Sequence, residues 1–190
     1  NNTPEEIIII FRNRKPNSAA YATLSPVFHA VNNNGTIEFE GGNFWDGRAT
    51  GHILGNPAAD QAQGPFLNPL EQNIASAGEL VDKVSNSEYS YLFNKVGKDI
   101  WGIDEISQSD DVNLKFGIIG LAIAAFEHSE KVNSFTSKFD YYLQGKTNLT
   151  DNEKKGFELF NGKAKCALCH PAEKGPDGYP PLFTDFRFDN

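Results

Sequence analysis

The chain has 190 residues, of which 39% are hydrophobic and 22% charged, proportions typical of a globular protein with one generous domain or two small ones. Its formal net charge of -8 argues against nucleic-acid binding, because phosphate contacts require concentrated Lys and Arg. An acidic surface can attract a basic protein partner, although solubility alone is a sufficient reason for the charge.

The first 75 residues are expected to be rich in loops, because prolines and two glycine–asparagine turn signals, at 32–35 and 41–43, interrupt them. The run Ile7 to Ile10 is compatible with a short buried strand or with a packed segment, and four branched residues do not decide between the two. The prolines of this part are Pro4, Pro16, Pro26, Pro57, Pro65 and Pro69.

Helical signals begin after residue 75. Ser76 followed by Glu79 predicts a capping box, in which the hydroxyl and the carboxylate satisfy free amides of a first turn, and apolar residues follow it at 80–84. The apolar spacing over 89–96 predicts a second helix that ends at Gly97.

A long helix is predicted from Val112 to Ser129, and it should be buried because it is apolar nearly all round. Its apolar run from Phe116 to Phe126 is too short to cross a bilayer, which requires about 20 residues. No membrane span is therefore expected.

A linker at 145–148 precedes a second capping box, formed by Thr150 and Glu153. The short helix that follows carries Phe157 and Phe160 on one face. It leads directly into the sequence KAKCALCH, which carries the strongest chemical signal in the chain.

Cys166, Cys169 and His170 form a CxxCH motif. Two thiols at this spacing can form thioethers with the vinyl groups of one haem, and the following histidine can then ligate the iron. A thioredoxin-like motif would need a preceding strand, a zinc site would need a fourth ligand, and a disulfide across two residues would be strained. The motif therefore predicts a covalently bound c-type haem.

Covalent haem attachment of this kind indicates a compartment outside the cytoplasm, which is the periplasm in a Gram-negative cell. The chain contains no methionine, so it cannot itself complete a His/Met haem. The candidates for a sixth ligand within it are His29, His52 and His128, or none. Each of these histidines is more often a surface or core residue, and an open sixth site would favour ligand chemistry over simple electron transfer.

The second signal is FWDGRA at 44–49. Trp45, Asp46 and Arg48 stand almost side by side in a region rich in turns. By itself this pattern favours a packed aromatic side chain beside a surface ion pair.

Six stretches together resemble the bacterial di-haem cytochrome c peroxidase family, which includes the related enzyme that matures the tryptophan-derived quinone of methylamine dehydrogenase. FWDGRA and the segment leading into CALCH are the most specific parts. The stretches are SAAYATLSPVFH at 18–29, GGNFWDGRAT at 41–50, DQAQGPFLNPLEQ at 60–72, LAIAAFE at 121–127, FDYYLQGKTNLTDNEKKGFELFNGKAKCALCH at 139–170 and LFTDFRF at 182–188.

The resemblance implies a mainly α-helical protein with cytochrome c-like haem lobes, long loops and little β structure. Residues 1–147 would form an N-terminal peroxidase-type lobe without its own CxxCH in this chain, and 148–190 the start of a second lobe. Hydrogen peroxide would be reduced at the N-terminal haem. The haem on His170 would accept electrons from a small donor, a cytochrome c or a cupredoxin, and pass them inward.

The resemblance also implies roles for individual side chains. Trp45 is similar to the tryptophan that lies between the two haems and helps electrons cross, with Asp46 and Arg48 as a supporting motif. Gln61 and Glu71 are similar to the polar pair near the peroxide site. Glu71 would then be a general acid or base in O–O cleavage.

A first CxxCH is expected upstream of about Asn13, and the remainder of the second lobe after Asn190, so we expect the 190 residues to be the middle of a longer protein. Calcium is possible at a segment near Asn13, and family members are often homodimers. Two other functions stay open. One is an electron carrier without enzymatic activity, and the other is a relative that oxidises a partner protein.

Overall fold

The computed structural model describes residues 18–175 and 178–188, and helices dominate this part of the chain. The mainly α-helical fold expected from the sequence is confirmed, and none of the described helices is long and apolar enough to span a membrane. The possible strand at Ile7 to Ile10 lies outside the described residues. The α-helices are α1 Pro57–Leu67, α2 Ala77–Ser85, α3 Ser90–Trp101, α4 Val112–Glu127, α5 Lys138–Leu143 and α6 Asp151–Asn161, and short 3-10 turns lie at Ala22–Leu24, Ile106–Gln108 and Cys166–Leu168.

A small antiparallel sheet has the order β1 His29–Asn33, β2 Thr36–Glu40 and β3 Arg187–Phe188. Asn34 and Gly35, which join β1 to β2, have φ values of 51° and 92°, as the tight turn of a two-residue hairpin requires. The turn signal at 32–35 is thus confirmed. The end of the described chain returns as β3 and pairs with β2 at Phe39 and Glu40.

The core lies where α4 meets α1 and α2. Ala58 and Ala59 of α1 are fully buried with Ala124 of α4, and a methyl group at Gly120 would lie 2.9 Å from the Ala59 carbonyl oxygen. Glycine at that position therefore permits the close approach of the two helices. A second apolar cluster consists of Leu80, Val81, Phe93, Ile106, Ile118 and Ile119.

The prediction that the second helix ends at Gly97 is wrong. α3 continues to Trp101 and ends at Gly102, whose φ is 68° and whose N–H donates to the Lys98 carbonyl at 3.0 Å. Gly97 is instead a contact point in the helix interior, because an added Cβ would lie 2.7 Å from Ile106 Cγ2. The small residue reflects tertiary packing and not a stop signal.

Two further expectations need adjustment. The loop-rich N-terminal part contains helix α1, where the Asn56 side chain accepts hydrogen bonds from the N–H groups of Ala58 and Ala59 at 2.8 and 3.2 Å. α4 ends at Glu127, two residues before the predicted end, and it is not buried all round because Phe126 is 62% exposed.

Both predicted capping residues begin helices. The Thr150–Glu153 box is complete in both directions. At α2 the Ser76 hydroxyl accepts from the Glu79 N–H at 3.1 Å, but the Glu79 carboxylate accepts from the N–H of Ala75 and not of Ser76. The hydrogen bond from the backbone to the Glu79 carboxylate therefore comes from the residue before the expected one.

We expect Gly97→Ala to lower the free energy of unfolding by about 1–3 kcal/mol, because the new methyl group must displace Ile106 in a packed core. Gly78→Ala is the matched control, since an added Cβ at Gly78 meets only the Ser76 hydroxyl, at 3.6 Å. Urea unfolding followed by circular dichroism measures both variants. Equal stability of the two would contradict the packing role of Gly97.

Candidate functional site

Helix α6 delivers the chain to the CxxCH motif. Its first turn is fixed by Thr150 and Glu153, and Lys138 of α5 reaches Glu153 Oε2 at 2.6 Å. The hydrogen bond from Lys138, followed by those from Thr150, lowers the pKa of Glu153 to about 2. α5 is thereby joined to α6 by an ion pair that persists over the neutral pH range.

The motif itself is a compact turn. The backbone N–H groups of Cys169 and His170 both donate to the Cys166 carbonyl, at 3.2 and 2.9 Å. Both cysteines are free thiols, Cys166 half-buried and Cys169 exposed. The two sulfur atoms are therefore accessible for bond formation, and the turn fixes the position of the following histidine.

The ring of His170 is oriented by one hydrogen bond. Its Nδ1 lies 2.8 Å from the backbone carbonyl oxygen of Phe183. A carbonyl oxygen can only accept, so Nδ1 must carry the hydrogen, and the lone pair of Nε2 remains available for a metal. Iron- and zinc-ligating histidines are commonly held in this way.

An apolar, open cavity of about 440 Å³, within the size range of cofactor sites, is connected to the motif through Phe183, which lines the cavity and whose carbonyl binds His170. The ring of Phe183 lies on the wall of the cavity. Its centroid is 5.5 Å from that of the Phe139 ring and 5.8 Å from that of the Phe160 ring. Lys138 and Glu153 are at its edge. Two cysteine thiols, an imidazole with a free Nε2 and an aromatic cavity joined to that imidazole through Phe183 fit a covalently bound haem.

The other interpretations of the motif fit less well. A thioredoxin-like site expects a strand before the motif, where helix α6 stands. Within 18–175 and 178–188, no group of three or more His, Cys, Asp or Glu side chains is arranged to hold a metal ion.

The three other histidines are engaged away from the motif. His29 Nδ1 contacts the Val27 carbonyl at 2.8 Å, and its Nε2 lies 3.1 Å from Glu40. His52 Nε2 contacts the Phe28 carbonyl at 2.8 Å. His128 lies between Thr23 and Tyr179, with contacts of 3.0 and 3.3 Å.

The segment with Trp45 is a tight loop that extends from the sheet. Asn43 and Ala49 close it with two backbone hydrogen bonds of 2.9 and 3.3 Å, and the Gly47 N–H donates to the Phe44 carbonyl at 3.1 Å. Trp45 at the tip is 86% exposed. The expectation of a packed aromatic side chain is therefore not met by Trp45, although the surface ion pair is present.

The ion pair between Asp46 and Arg48 connects residues on either side of the turn at Gly47. Arg48 Nη1 donates to both carboxylate oxygens of Asp46 at 2.8 Å, and the guanidinium carbon lies 3.8 Å from the Phe44 ring centroid. Desolvation raises the pKa of Asp46, but the hydrogen bonds from the Arg48 side chain and backbone outweigh it, so the pKa lies below its usual value. Arg48 thus joins Phe44 to Asp46 across the base of the Trp45 tip.

Gln61 lies half-buried in α1, and Glu71 is exposed in the loop that follows this helix. The loop folds back on α1, because the Glu71 N–H donates to the Asn68 carbonyl at 2.9 Å and the Gln72 N–H to the Pro65 carbonyl at 3.1 Å. The roles assigned to Gln61 and Glu71 stay predictions. The candidate calcium segment near Asn13 lies outside the described residues.

Sequence reasoning did not single out Phe183, the acceptor for His170. The stretch LFTDFRF at 182–188 entered only as part of a resemblance, and no local pattern indicates that a backbone carbonyl there meets a side chain thirteen residues earlier.

Comparison with known proteins identifies the family to which the chain belongs. The family model for di-haem cytochrome c peroxidase matches residues 10–148. The methylamine utilization protein MauG of Paracoccus denitrificans is 29% identical over 182 residues, which cover 93% of this chain and 42% of that protein. The cytochrome c peroxidase Ccp of Escherichia coli is 34% identical over 129 residues, 67% of this chain and 23% of that protein.

Among solved structures, the diheme peroxidase BthA from Burkholderia thailandensis superimposes with a TM-score of 0.73 at 28% identity. The match covers 94% of this chain and 40% of that chain. The chain thus spans less than half the length of these relatives.

We expect Arg48→Ala to raise the pKa of Asp46 towards its ordinary value, because the side-chain hydrogen bonds and the positive charge of Arg48 are lost. A depressed carboxyl pKa stabilises the fold above the unfolded-state pKa, and this contribution disappears as pH falls through the folded-state pKa. The free energy of unfolding of the wild-type protein should therefore fall as the pH is lowered from about 4 to the folded-state pKa of Asp46, and that of the variant should fall less over the same range. NMR titration of the Asp46 carboxyl group measures the shift, with Lys98→Ala, which removes an exposed ion pair to Asp104, as the control. An unchanged Asp46 pKa in Arg48→Ala would contradict the assignment.

Proposed function

Because this chain belongs to the di-haem cytochrome c peroxidase family, we propose that it is part of an enzyme that reduces hydrogen peroxide to water with electrons from a small redox protein. The observation that carries the proposal is the orientation of His170. Its Nδ1 is held by the Phe183 carbonyl at 2.8 Å, the motif that contains it carries two cysteine thiols, and Phe183 also lines an aromatic cavity.

The family implies haem c as the cofactor. In this chain Cys166 and Cys169 would hold one haem by thioether bonds, and His170 would supply a nitrogen ligand to the iron. The haem supplies the redox chemistry when bound, and the protein contributes placement, orientation and electrostatics. We assign this haem to electron transfer, in accordance with the position of the motif after the segment that matches the family.

The remaining side chains divide into an electron path and a peroxide site. Trp45, exposed at the tip of its loop, would carry electrons towards the second haem that the family implies. Gln61 and Glu71 would act at the peroxide site, where Glu71 exchanges a proton with the substrate and Gln61 orients it by hydrogen bonding. Asp46 and Arg48 would keep the Trp45 tip in place through their ion pair.

A relative that oxidises a partner protein is the second candidate. The observation that favours it is the alignment with the methylamine utilization protein, which covers 93% of this chain against 67% for the Escherichia coli peroxidase. Turnover of hydrogen peroxide is measured with a reduced cytochrome c or cupredoxin and without a donor. Turnover that depends on the donor indicates a peroxidase, and no turnover with either donor favours an enzyme that needs another protein as substrate.

The number of haems decides between an enzyme and an electron carrier. We propose two haems in the whole protein, one of them on Cys166 and Cys169. Intact mass combined with a pyridine haemochrome assay gives haem per chain, and a single haem that is six-coordinate in both oxidation states would favour the carrier.

We further propose a periplasmic location, in line with covalent haem attachment outside the cytoplasm. Calcium between the lobes and a homodimer are proposals from the family resemblance. Metal analysis of the purified protein and its mass by light scattering test them.

We expect the double variant Cys166→Ala, Cys169→Ala to lose one covalent haem per chain, because both thioether bonds are removed. The haemochrome assay after acid–acetone extraction measures the loss. Full retention of covalent haem would refute attachment at this motif.

We expect Glu71→Gln to lower peroxide turnover by about 10²–10⁴-fold without changing the haem content, because the carboxyl group no longer transfers a proton. The control is Glu79→Gln, an exposed carboxylate on α2 paired with Lys83. Donor oxidation under steady-state conditions measures both variants, and equal rates would remove Glu71 from the catalytic site.

A further inference from the structure

One short segment of the chain contacts both the His170 ring and the Trp45 loop. Residues 183–188, here called the strap, begin at Phe183, whose carbonyl accepts from His170 Nδ1 at 2.8 Å. Three residues later, the Phe186 carbonyl accepts from the N–H of Gly41 at 2.9 Å. Gly41 lies two residues before the loop closed by Asn43 and Ala49, here called the Trp45 loop. The strap then ends as β3, paired with β2.

Side chains of the strap make further contacts with the Trp45 loop. Phe186 and Trp45 line the same cavity of about 380 Å³. The Phe188 ring packs so closely on Gly47 that an added Cβ there would lie 2.9 Å from Phe188 Cζ. The Trp45 loop is therefore held by the strap through its backbone at one end and through an aromatic ring at the turn.

The strap has an unfavourable backbone. Phe183 and Phe186 have φ values of 55° and 58°, a left-handed conformation that is rare for bulky residues. Such strain persists only where the surroundings enforce it, and it is concentrated at functional sites. Here the Phe186 N–H donates to the Thr184 hydroxyl at 2.9 Å, and the Arg187 N–H donates to the Asp185 carboxylate at 3.1 Å.

We propose that the strap is a positioning element that couples the His170 imidazole to the Trp45 loop, so that the two are held in one fixed relative geometry. Releasing the strained turn at Thr184 removes the Phe183 carbonyl from His170 and loosens Gly41 and Gly47 together. This deepens the proposed function, since it rests on a haem attached at Cys166 and Cys169 and on Trp45 as a path for electrons. It adds a segment that acts only through those residues.

The test uses the haem-loaded protein and two readouts other than activity. The first is the reduction potential of the haem on His170, because loss of the Nδ1 hydrogen bond makes the imidazole a weaker donor to iron and raises the potential. The second is the fluorescence of Trp45, because a haem quenches nearby tryptophan emission by energy transfer. It is obtained in a Trp101→Phe background, as the difference between the emission of this protein and that of the same protein with Trp45→Phe. The substitution is Thr184→Val, which removes the hydroxyl acceptor at nearly constant volume.

We expect Thr184→Val to raise both the potential and the Trp45 emission, and Thr184→Ser to restore both. Thr136→Val is the matched control, since Thr136 contacts Ser134 in a separate loop, and it should leave both readouts unchanged. A change in only one readout, no change in either, or no restoration by serine would overturn the proposal.

If Thr184→Val does not fold, Phe188→Leu tests the same coupling from the far end. It removes the ring from Gly47, and the potential of the haem on His170 should again rise together with the Trp45 emission. An unchanged potential would overturn the coupling. Coupled shifts in a protein that turns over no peroxide would support the strap and refute the proposed peroxidase function.

Discussion

The hydrogen bond between His170 Nδ1 and the Phe183 carbonyl imposes a constraint on the whole end of the described chain. To form it, the chain must reverse after the CxxCH turn and bring a backbone acceptor to a ring thirteen residues earlier. The same reversal places the Phe183 ring on the aromatic wall with Phe139 and Phe160 and carries the chain on to β3. The orientation of one imidazole, the wall of the cavity and the third strand are thus consequences of a single return path.

Features encoded by neighbouring residues were predictable from the sequence. The caps at Ser76 and Thr150 depend on residues three apart, and the CxxCH spacing depends on five consecutive positions, so local chemistry suffices to recognise them. The long helix α4 was predictable for the same reason, apart from two residues at its end. The fold class was predictable because the sequence resembles a known family over almost its whole length.

Features decided by distant contacts were not predictable. Gly97 has the residue type of a helix stop, but Ile106 packs on it and the helix continues. α1 contains Pro65, which has no N–H to donate to the helix, and the helix is held by contact with α4, including the hydrogen bond from Gln63 Nε2 to the Phe116 carbonyl at 3.2 Å. The left-handed conformations of Phe183 and Phe186 leave no trace in composition or spacing, and the carbonyls of both residues bond to distant groups, the His170 ring and the Gly41 N–H.

The same division separates the two parts of the candidate site. The proposed haem attachment depends on local sequence, because the CxxCH motif by itself supplies both thiols and the imidazole. The position of Trp45 relative to that attachment is not local, because Arg48 fixes only the sides of its own loop. An exposed ring at a loop tip would sample many positions, and electron transfer to or from it would then vary with each one. In the proposed arrangement the strap, which bonds to His170 at one end and contacts the Trp45 loop at the other, would remove this freedom, and this would account for the persistence of its unfavourable backbone angles.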